Sequence, residues 1–359
     1  LACGGMYYVK AIGGGNNIKQ ENMPMTQEQI TANLQTISTN TKTVNMNAEE
    51  NRAPIAPDLD TNSSIYANTS VSQDSRYYYN QLGENSKIIY DAIVNNIDKL
   101  KNGNERINID ADLSALWNNG NGEEELNYVY GDAVNAVNLD KSELFYIDFS
   151  KMSLNVFKTS SFFSTKFEFY IDVDKSRYSN YYADGFENST QVAIAISQVE
   201  SVKKQVGEAC KGNDYAKIKT VHDWLIEYME YNGDSSHKAS IYGAFLERKG
   251  VCESYARSLK YILDDLGIEN ILATGTATNS SGNTEDHMWN YVKLEGNWYA
   301  VDATWDDPVI LGGGTISNEV KHRYFLKGSK EFFKNHTERM TISESNKIFA
   351  LPKLSSNNY

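Results

Sequence analysis

Between Gly250 and Thr304 the hydrophobic period of the chain switches from helical to alternating, and this switch constrains the fold more than any other feature. Gly250-Val251-Cys252-Glu253 leads into Ala256, Leu259, Ile262, Leu263 and Leu266, an apolar stripe at helical spacing that stops at Gly267. Asn270–Thr278 then reads as a strand and Asn279–Asn283 as a loop. His287–Leu294 and Trp298–Thr304 read as the arms of a β-hairpin turning at Glu295-Gly296-Asn297. A helix followed by a strand and a hairpin belongs to the α+β class.

The same stretch holds the parts of an activated nucleophile. Cys252 sits at or just before the first turn of a helix of about four turns, where the positive end of the helix dipole favours thiolate over thiol. His287 opens the outgoing arm of the hairpin, and Asp302 lies near the end of the returning arm. A four-residue loop over Leu294–Asn297 puts Asp302 opposite Trp289 and diagonal to His287 on one face, within side-chain reach. A two-residue loop is expected to set the pair further apart. In such a set the thiolate attacks a carbonyl carbon, the imidazole manages the proton and the carboxylate fixes the ring. The plainer alternative is a core cysteine at a helix start beside a surface histidine and aspartate on an ordinary hairpin. The backbone N–H of Cys252 is a natural donor to an oxyanion. Asn290 takes the orienting role if Asp302 points away. His222 and His322 have no partner that sequence identifies and read as structural. The chain has no HExxH and no CxxC, so no metal site and no cofactor is expected.

Upstream the pattern is different. Residues 1–73 are rich in Asn, Thr and Gly and poor in large apolar residues, which marks a flexible tail or linker. One short helix over Thr26–Ser38 is compatible with Ile30, Leu34 and Ile37 sharing a face. Residues 74–189 read as an α+β unit: a helix over Tyr79–Leu100, a strand at Arg106–Asp110, a break at Gly120–Glu124 and a helix over Leu126–Val137. Strands follow at Glu143–Phe149, Asn155–Lys158 and Lys166–Val173. That unit has neither histidine nor cysteine. Residues 190–359 form the second unit, opening with a helical stripe of Val192, Ile196, Val199, Val202 and Val206. A further helix, capped by Asp214, runs to Tyr231. All five histidines lie there.

Charge and cysteine usage exclude several roles. With 34 basic against 47 acidic residues the net charge is −13, which argues against a nucleic-acid partner and against membrane adhesion through charge. Three cysteines, Cys3, Cys210 and Cys252, are too few for a disulfide framework. Cys210 lies four residues after Val206 on an apolar stripe and reads as core. No apolar run approaches the roughly 18–20 residues of a spanning helix.

Residues 190–340 resemble bacterial members of the transglutaminase-like superfamily, which shares the papain-type thiol fold. The motifs are Lys249-Gly250-Val251-Cys252-Glu253-Ser254-Tyr255-Ala256, His287-Met288-Trp289-Asn290-Tyr291-Val292, and Trp298-Tyr299-Ala300-Val301-Asp302-Ala303-Thr304-Trp305-Asp306-Asp307-Pro308. His222-Asp223-Trp224-Leu225, Tyr324-Phe325-Leu326 and Asn335-His336-Thr337 fit as well. The resemblance implies a Cys-bearing helix packed on an antiparallel sheet and a triad of Cys252, His287 and Asp302. It also implies an oxyanion donor at Tyr242, and Trp289 and Trp305 as walls of the cleft. Tyr77–Leu82 through Ser142–Tyr146 look like the segment that precedes this domain in secreted clostridial-type proteins. Leu1-Ala2-Cys3-Gly4 resembles the end of a bacterial lipoprotein signal, so Cys3 is a candidate lipid anchor at the membrane and the expected location is secreted or cell-surface. The implied activity is acyl transfer through a Cys252 thioester, with a protein or peptide glutamine as donor and an amine as acceptor. Cysteine protease or amidase chemistry on the same triad, and a non-catalytic surface binding module, are the alternatives.

Overall fold

The computed structural model describes residues 8–12, 76–118, 120–307, 317–339 and 349–359. The Thr26–Ser38 helix and Cys3 lie outside them. Within residues 1–73, Tyr8–Ile12 forms strand β1, which pairs in parallel with the third strand of the first sheet.

That first sheet has the order β1-β3-β4-β2 and is followed in sequence by the second sheet. Strands β3 (Met152–Ser160) and β4 (Thr165–Val173) form a long antiparallel hairpin, and β2 (Ile107–Ile109) pairs with β4. Helices α1 (Glu84–Val94) and α2 (Gly122–Asp140) cover the sheet. The single helix expected over Tyr79–Leu100 is broken. A 3₁₀ turn at Tyr79–Gln81 precedes α1, and a separate turn follows at Ile97–Leu100. Asn95 and Asn96 interrupt the helix between them, and the Asn96 amide donates back to the Ala92 carbonyl at 2.8 Å. The expected strand over Glu143–Phe149 is also absent. Ser142–Leu144 is a 3₁₀ turn, and only Ile147 forms a bridge, to Tyr182. The β-branched and aromatic residues there are buried because the segment packs in the core, and burial alone does not pair a strand.

Helices α3 (Ser189–Ala209) and α4 (Asp214–Tyr228) follow. The cap of α4 is Asn213, whose side chain accepts from the Ala216 N–H at 3.0 Å, one residue before the expected Asp214. The helix ends at Tyr228 because Glu230–Tyr231 forms a short strand, β5, beside β6 (Lys249–Gly250). Helix α5 (Cys252–Asp265) lies on the second sheet, whose order is β10-β7-β8-β9 and whose strands are antiparallel. Its strands are β7 (Asn270–Thr278), β8 (Thr284–Leu294), β9 (Asn297–Val301) and β10 (His336–Glu338). The architecture is thus α+β, with the Cys-bearing helix on an antiparallel sheet. Leu259, Ile262 and Leu263 are fully buried beneath that helix, each contributing roughly 1.5–3 kcal/mol by leaving water. No helix among the described residues is long and apolar enough to cross a membrane.

Candidate active site

Cys252 is the first residue of α5, with Val251 as an extended cap before it. The turn into the helix is tight. A Cβ on Gly250 would fall 2.4 Å from Ser254 Oγ, so this position tolerates no side chain without movement. Ser254 Oγ donates to the Lys238 carbonyl at 2.5 Å, which ties the first turn of α5 to the preceding loop. Being in the first turn, the Cys252 N–H has no intrahelical acceptor. Cys252 is nearly buried, at 7% exposure.

His287 and Asp302 meet across the hairpin. His287 Nε2 lies 2.8 Å from Asp302 Oδ2, which leaves Nδ1 for the thiol side. The hairpin closes through a two-residue turn, Glu295-Gly296, both at positive φ (51° and 80°), as a type I′ turn requires. The expectation that such a turn would separate the pair is corrected. A two-residue loop over 295–296 and a four-residue loop over 294–297 are centred on the same bond, so both give the register Asn290↔Val301. Continued by one residue, that register sets Trp289 opposite Asp302, which lies just past the end of β9.

Asp302 is almost wholly buried, at 1% exposure, and the structure gives it four donors. Oδ1 accepts from the N–H groups of Thr304 (3.1 Å) and Trp305 (3.2 Å). Oδ2 faces His287 and a second imidazole, His336 Nε2, at 3.1 Å. Burial pushes the Asp302 carboxyl up, but His287 and His336 outweigh it and hold the group below the ordinary carboxylate range. Burial likewise works against a charged His287. Asp302 and then Cys252 overcome it and raise the imidazole to about 10. The arrangement therefore favours an imidazolium flanked by a carboxylate and a cysteine sulfur.

The two tryptophans differ in setting. Trp305 packs against both imidazoles, with centroids 5.6 Å from His287 and 4.7 Å from His336. Trp289 is buried edge-on to His336 and Phe332. Asn290 donates to the Ala256 carbonyl at 2.9 Å and so anchors α5 to β8, away from the orienting role. Tyr242 lies among Phe145, Phe186 and His237, stacked on Phe145 with centroids 6.0 Å apart, and among the described residues no hydrogen bond joins it to Cys252. Cys210 ends α3, buried, with Sγ on the Val206 carbonyl at 3.2 Å.

Two residues take places at the site that sequence reasoning does not assign, although Asn335-His336-Thr337 is among the matching motifs. His336 comes from β10, some fifty residues beyond His287, and only the pairing of β10 with β7 brings it in. Tyr231 lies on β5 beside Gly250, two residues from Cys252. Its hydroxyl is raised above the ordinary phenol range, first by burial and then by Cys252, Glu285 and Asp302.

Residues 202–303 match the model of the transglutaminase-like superfamily, so the chain carries a transglutaminase-like domain that includes Cys252, His287 and Asp302. The mouse protein Kyphoscoliosis peptidase is 24% identical over 152 residues, covering 39% of this chain and 22% of that protein. The chain thus spans less than a quarter of this curated relative. Among solved structures, a TGase aligns over 49% of this chain and 50% of its own, at 11% identity and a TM-score of 0.29. The periplasmic domain of TgpA from Pseudomonas aeruginosa aligns over 40% of this chain and 55% of its own, at 14% identity and a TM-score of 0.25.

Proposed function

We propose that the transglutaminase-like domain performs thiol-dependent acyl transfer, with Cys252 as nucleophile, His287 as acid and base, and Asp302 as the group that orients and charges the ring. The observation that carries this reading is the buried Asp302–His287 pair directed at a cysteine in the first turn of a helix. The Cys252 thiolate attacks the carbonyl carbon of a glutamine carboxamide, and the C=O π pair moves to the oxygen. The Cys252 N–H at the helix start stabilises that oxyanion. Collapse of the intermediate breaks the C–N bond, and His287 gives its proton to the departing nitrogen, releasing ammonia and leaving a thioester. An amine then attacks the thioester carbon, His287 takes the proton from the incoming nitrogen, and the thiolate leaves. The product is a new amide, as in protein crosslinking.

Hydrolysis by the same residues is the second reading, favoured by the peptidase name of the mouse relative. There water resolves the thioester and the products are peptide fragments or a free acid. Incorporation of a labelled primary amine into casein, abolished in Cys252→Ala, is the expected result. Casein fragments without amine incorporation would establish the hydrolase, and neither activity would reduce the domain to a binding module. We further place the activity at the bacterial cell surface, on the likeness of Leu1–Gly4 to a lipoprotein signal end. Mass spectrometry of the native N-terminus should find lipid on Cys3, and an unmodified Cys3 there would overturn the anchor.

A further inference from the structure

A second cluster of titratable side chains lies beside the triad and takes no part in the chemistry above. His222, from the middle of α4, is fully buried. Its Nε2 is 3.0 Å from Asp306 Oδ2, and its Nδ1 is 3.0 Å from Asp223 Oδ1. His322, past the short helix Asn318–Lys321, places Nδ1 2.7 Å from the Asn318 carbonyl and Nε2 2.7 Å from the same Asp223 Oδ1. Both rings therefore have an outer nitrogen tied to an acceptor, a carboxylate in one case and a backbone carbonyl in the other. With its one proton on the outer nitrogen, a neutral imidazole held this way presents a lone pair on the inner one. The two inner nitrogens converge on one carboxylate oxygen, so the three atoms can face a single cation.

We infer that His222 Nδ1, Asp223 Oδ1 and His322 Nε2 form a site for one divalent transition-metal ion, of which zinc is the best-suited member. These three atoms lie within 4.8 Å of one another. Tetrahedral zinc with bonds of about 2.0–2.2 Å needs ligand atoms roughly 3.3 Å apart, a small opening from the separations present. Two imidazoles and one carboxylate suit zinc better than calcium or magnesium, which prefer all-oxygen shells. The outer tethers to Asp306 and to the Asn318 carbonyl are the contacts that fix the tautomer of a metal-ligating histidine. Charge also balances. Without an ion, hydrogen bonding throughout the cluster requires a second proton on each ring, giving Lys219, His222 and His322 against Asp223 and Asp306. One divalent ion replacing those two protons leaves the same net charge. Lys219 pairs with the other oxygen of Asp223 and leaves Oδ1 available. Asp223 and His322 are partly exposed, so an ion has a path in, while the fully buried His222 closes the inner side. HExxH-type spacing misses the site because its ligands come from α4 and from a turn about a hundred residues later.

The site would brace the triad without touching it. Asp306 holds His222, its Oδ1 accepts from the Tyr324 N–H at 2.8 Å, and its own N–H donates to the Asp302 carbonyl at 3.2 Å. The test is calorimetric titration of the chelator-stripped full chain with zinc sulfate, with cobalt(II) as an optical probe. Wild type and Cys252→Ala should each bind one zinc, and cobalt should give visible d–d bands without a thiolate charge-transfer band. His322→Ala and Asp223→Asn should weaken zinc binding at least a hundredfold, with circular dichroism unchanged. Asp306→Asn, acting through His222, should weaken it roughly ten- to hundredfold while keeping one-to-one binding. Binding that is absent in wild type, unchanged in His322→Ala, or lost in Cys252→Ala would overturn the inference, the last by placing the ion at the triad.

Discussion

Two imidazoles share one oxygen of Asp302, and this sharing sets the protonation of the site. His287 stays charged in the folded chain up to about pH 10, against about 6.5 for an unconstrained imidazole. A folded value raised in this way gives stability that is complete below about pH 6.5 and is lost as pH rises to about 10. The urea midpoint of the wild type should therefore fall across that window, and fall less in His287→Gln. Asp302 has the opposite sign: its lowered value gives stability present above about pH 3.9 and lost as pH falls below it. His336 touches Asp302 and packs on Phe332 with ring centroids 4.0 Å apart, so it is a positioning residue for the carboxylate. His336→Phe keeps the packing and removes the hydrogen bond. Its kcat for amine incorporation should drop roughly ten- to hundredfold at unchanged KM, the ~1.5–3 kcal/mol of one hydrogen bond to a charged group. His336→Gln should recover part of that loss, and a KM change of the same size would show instead that the ring meets substrate. The two described thiols divide in the same way. Burial raises Cys210 above the ordinary thiol range, so iodoacetamide at pH 6 should label Cys252 far faster, and equal slow rates would refute an activated thiol.

The strand β10 delivers His336, and it can approach β7 only because residue 275 has no side chain. A Cβ on Gly275 would fall 1.9 Å from the Thr337 carbonyl oxygen and 2.7 Å from the Trp289 ring. Gly275→Ala should pry β10 from the sheet, lower stability by about 1–3 kcal/mol in urea titration and reduce kcat together with His336→Phe, without adding to it. This element also shows what was legible in the chain. The α5 stripe, its glycine stop and the bounds of β7 follow from periodicity, because local hydrophobic pattern decides where a helix covers a sheet. Cys252, His287 and Asp302 were legible because each sits at an element end or on one hairpin, where spacing converts directly to distance. His336, Tyr231 and the His222–His322 cluster were not, because strand order and loop return bring them in, and neither leaves a local period. Glu143–Phe149 failed for a related reason: an apolar aromatic run reports burial, and here the run is buried as turns.

At the scale of the whole molecule the first sheet and the site are one packed body. A single apolar cluster runs from Tyr78 and Tyr130, through the β3–β4 sheet, to Cys252, Ala256, Trp289 and Leu354. Polar bonds cross the same boundary. The Tyr78 hydroxyl donates to the Leu272 carbonyl of β7, and Arg257, one turn beyond Cys252 on α5, donates from Nη1 to the Asn138 carbonyl at the end of α2 at 2.6 Å. Arg257 is 6% exposed, and its Nε is paired with Glu253 at 2.8 Å, so the guanidinium is spent inside the protein as a strut between α2 and the Cys-bearing helix. Removing one partner of a buried ion pair strands the other charge, at a cost of about 3–5 kcal/mol. Arg257→Met should therefore lower the unfolding free energy by that amount, read from urea titration, and slow alkylation of Cys252, because the first turn of α5 loses its brace. Arg257→Met with Glu253→Gln should recover part of the stability, since the carboxylate facing the lost guanidinium goes too, but not the alkylation rate, since the link to Asn138 stays broken. Equal recovery of both would make the ion pair a local feature of α5, and would assign the N-terminal unit no part in holding the thiol.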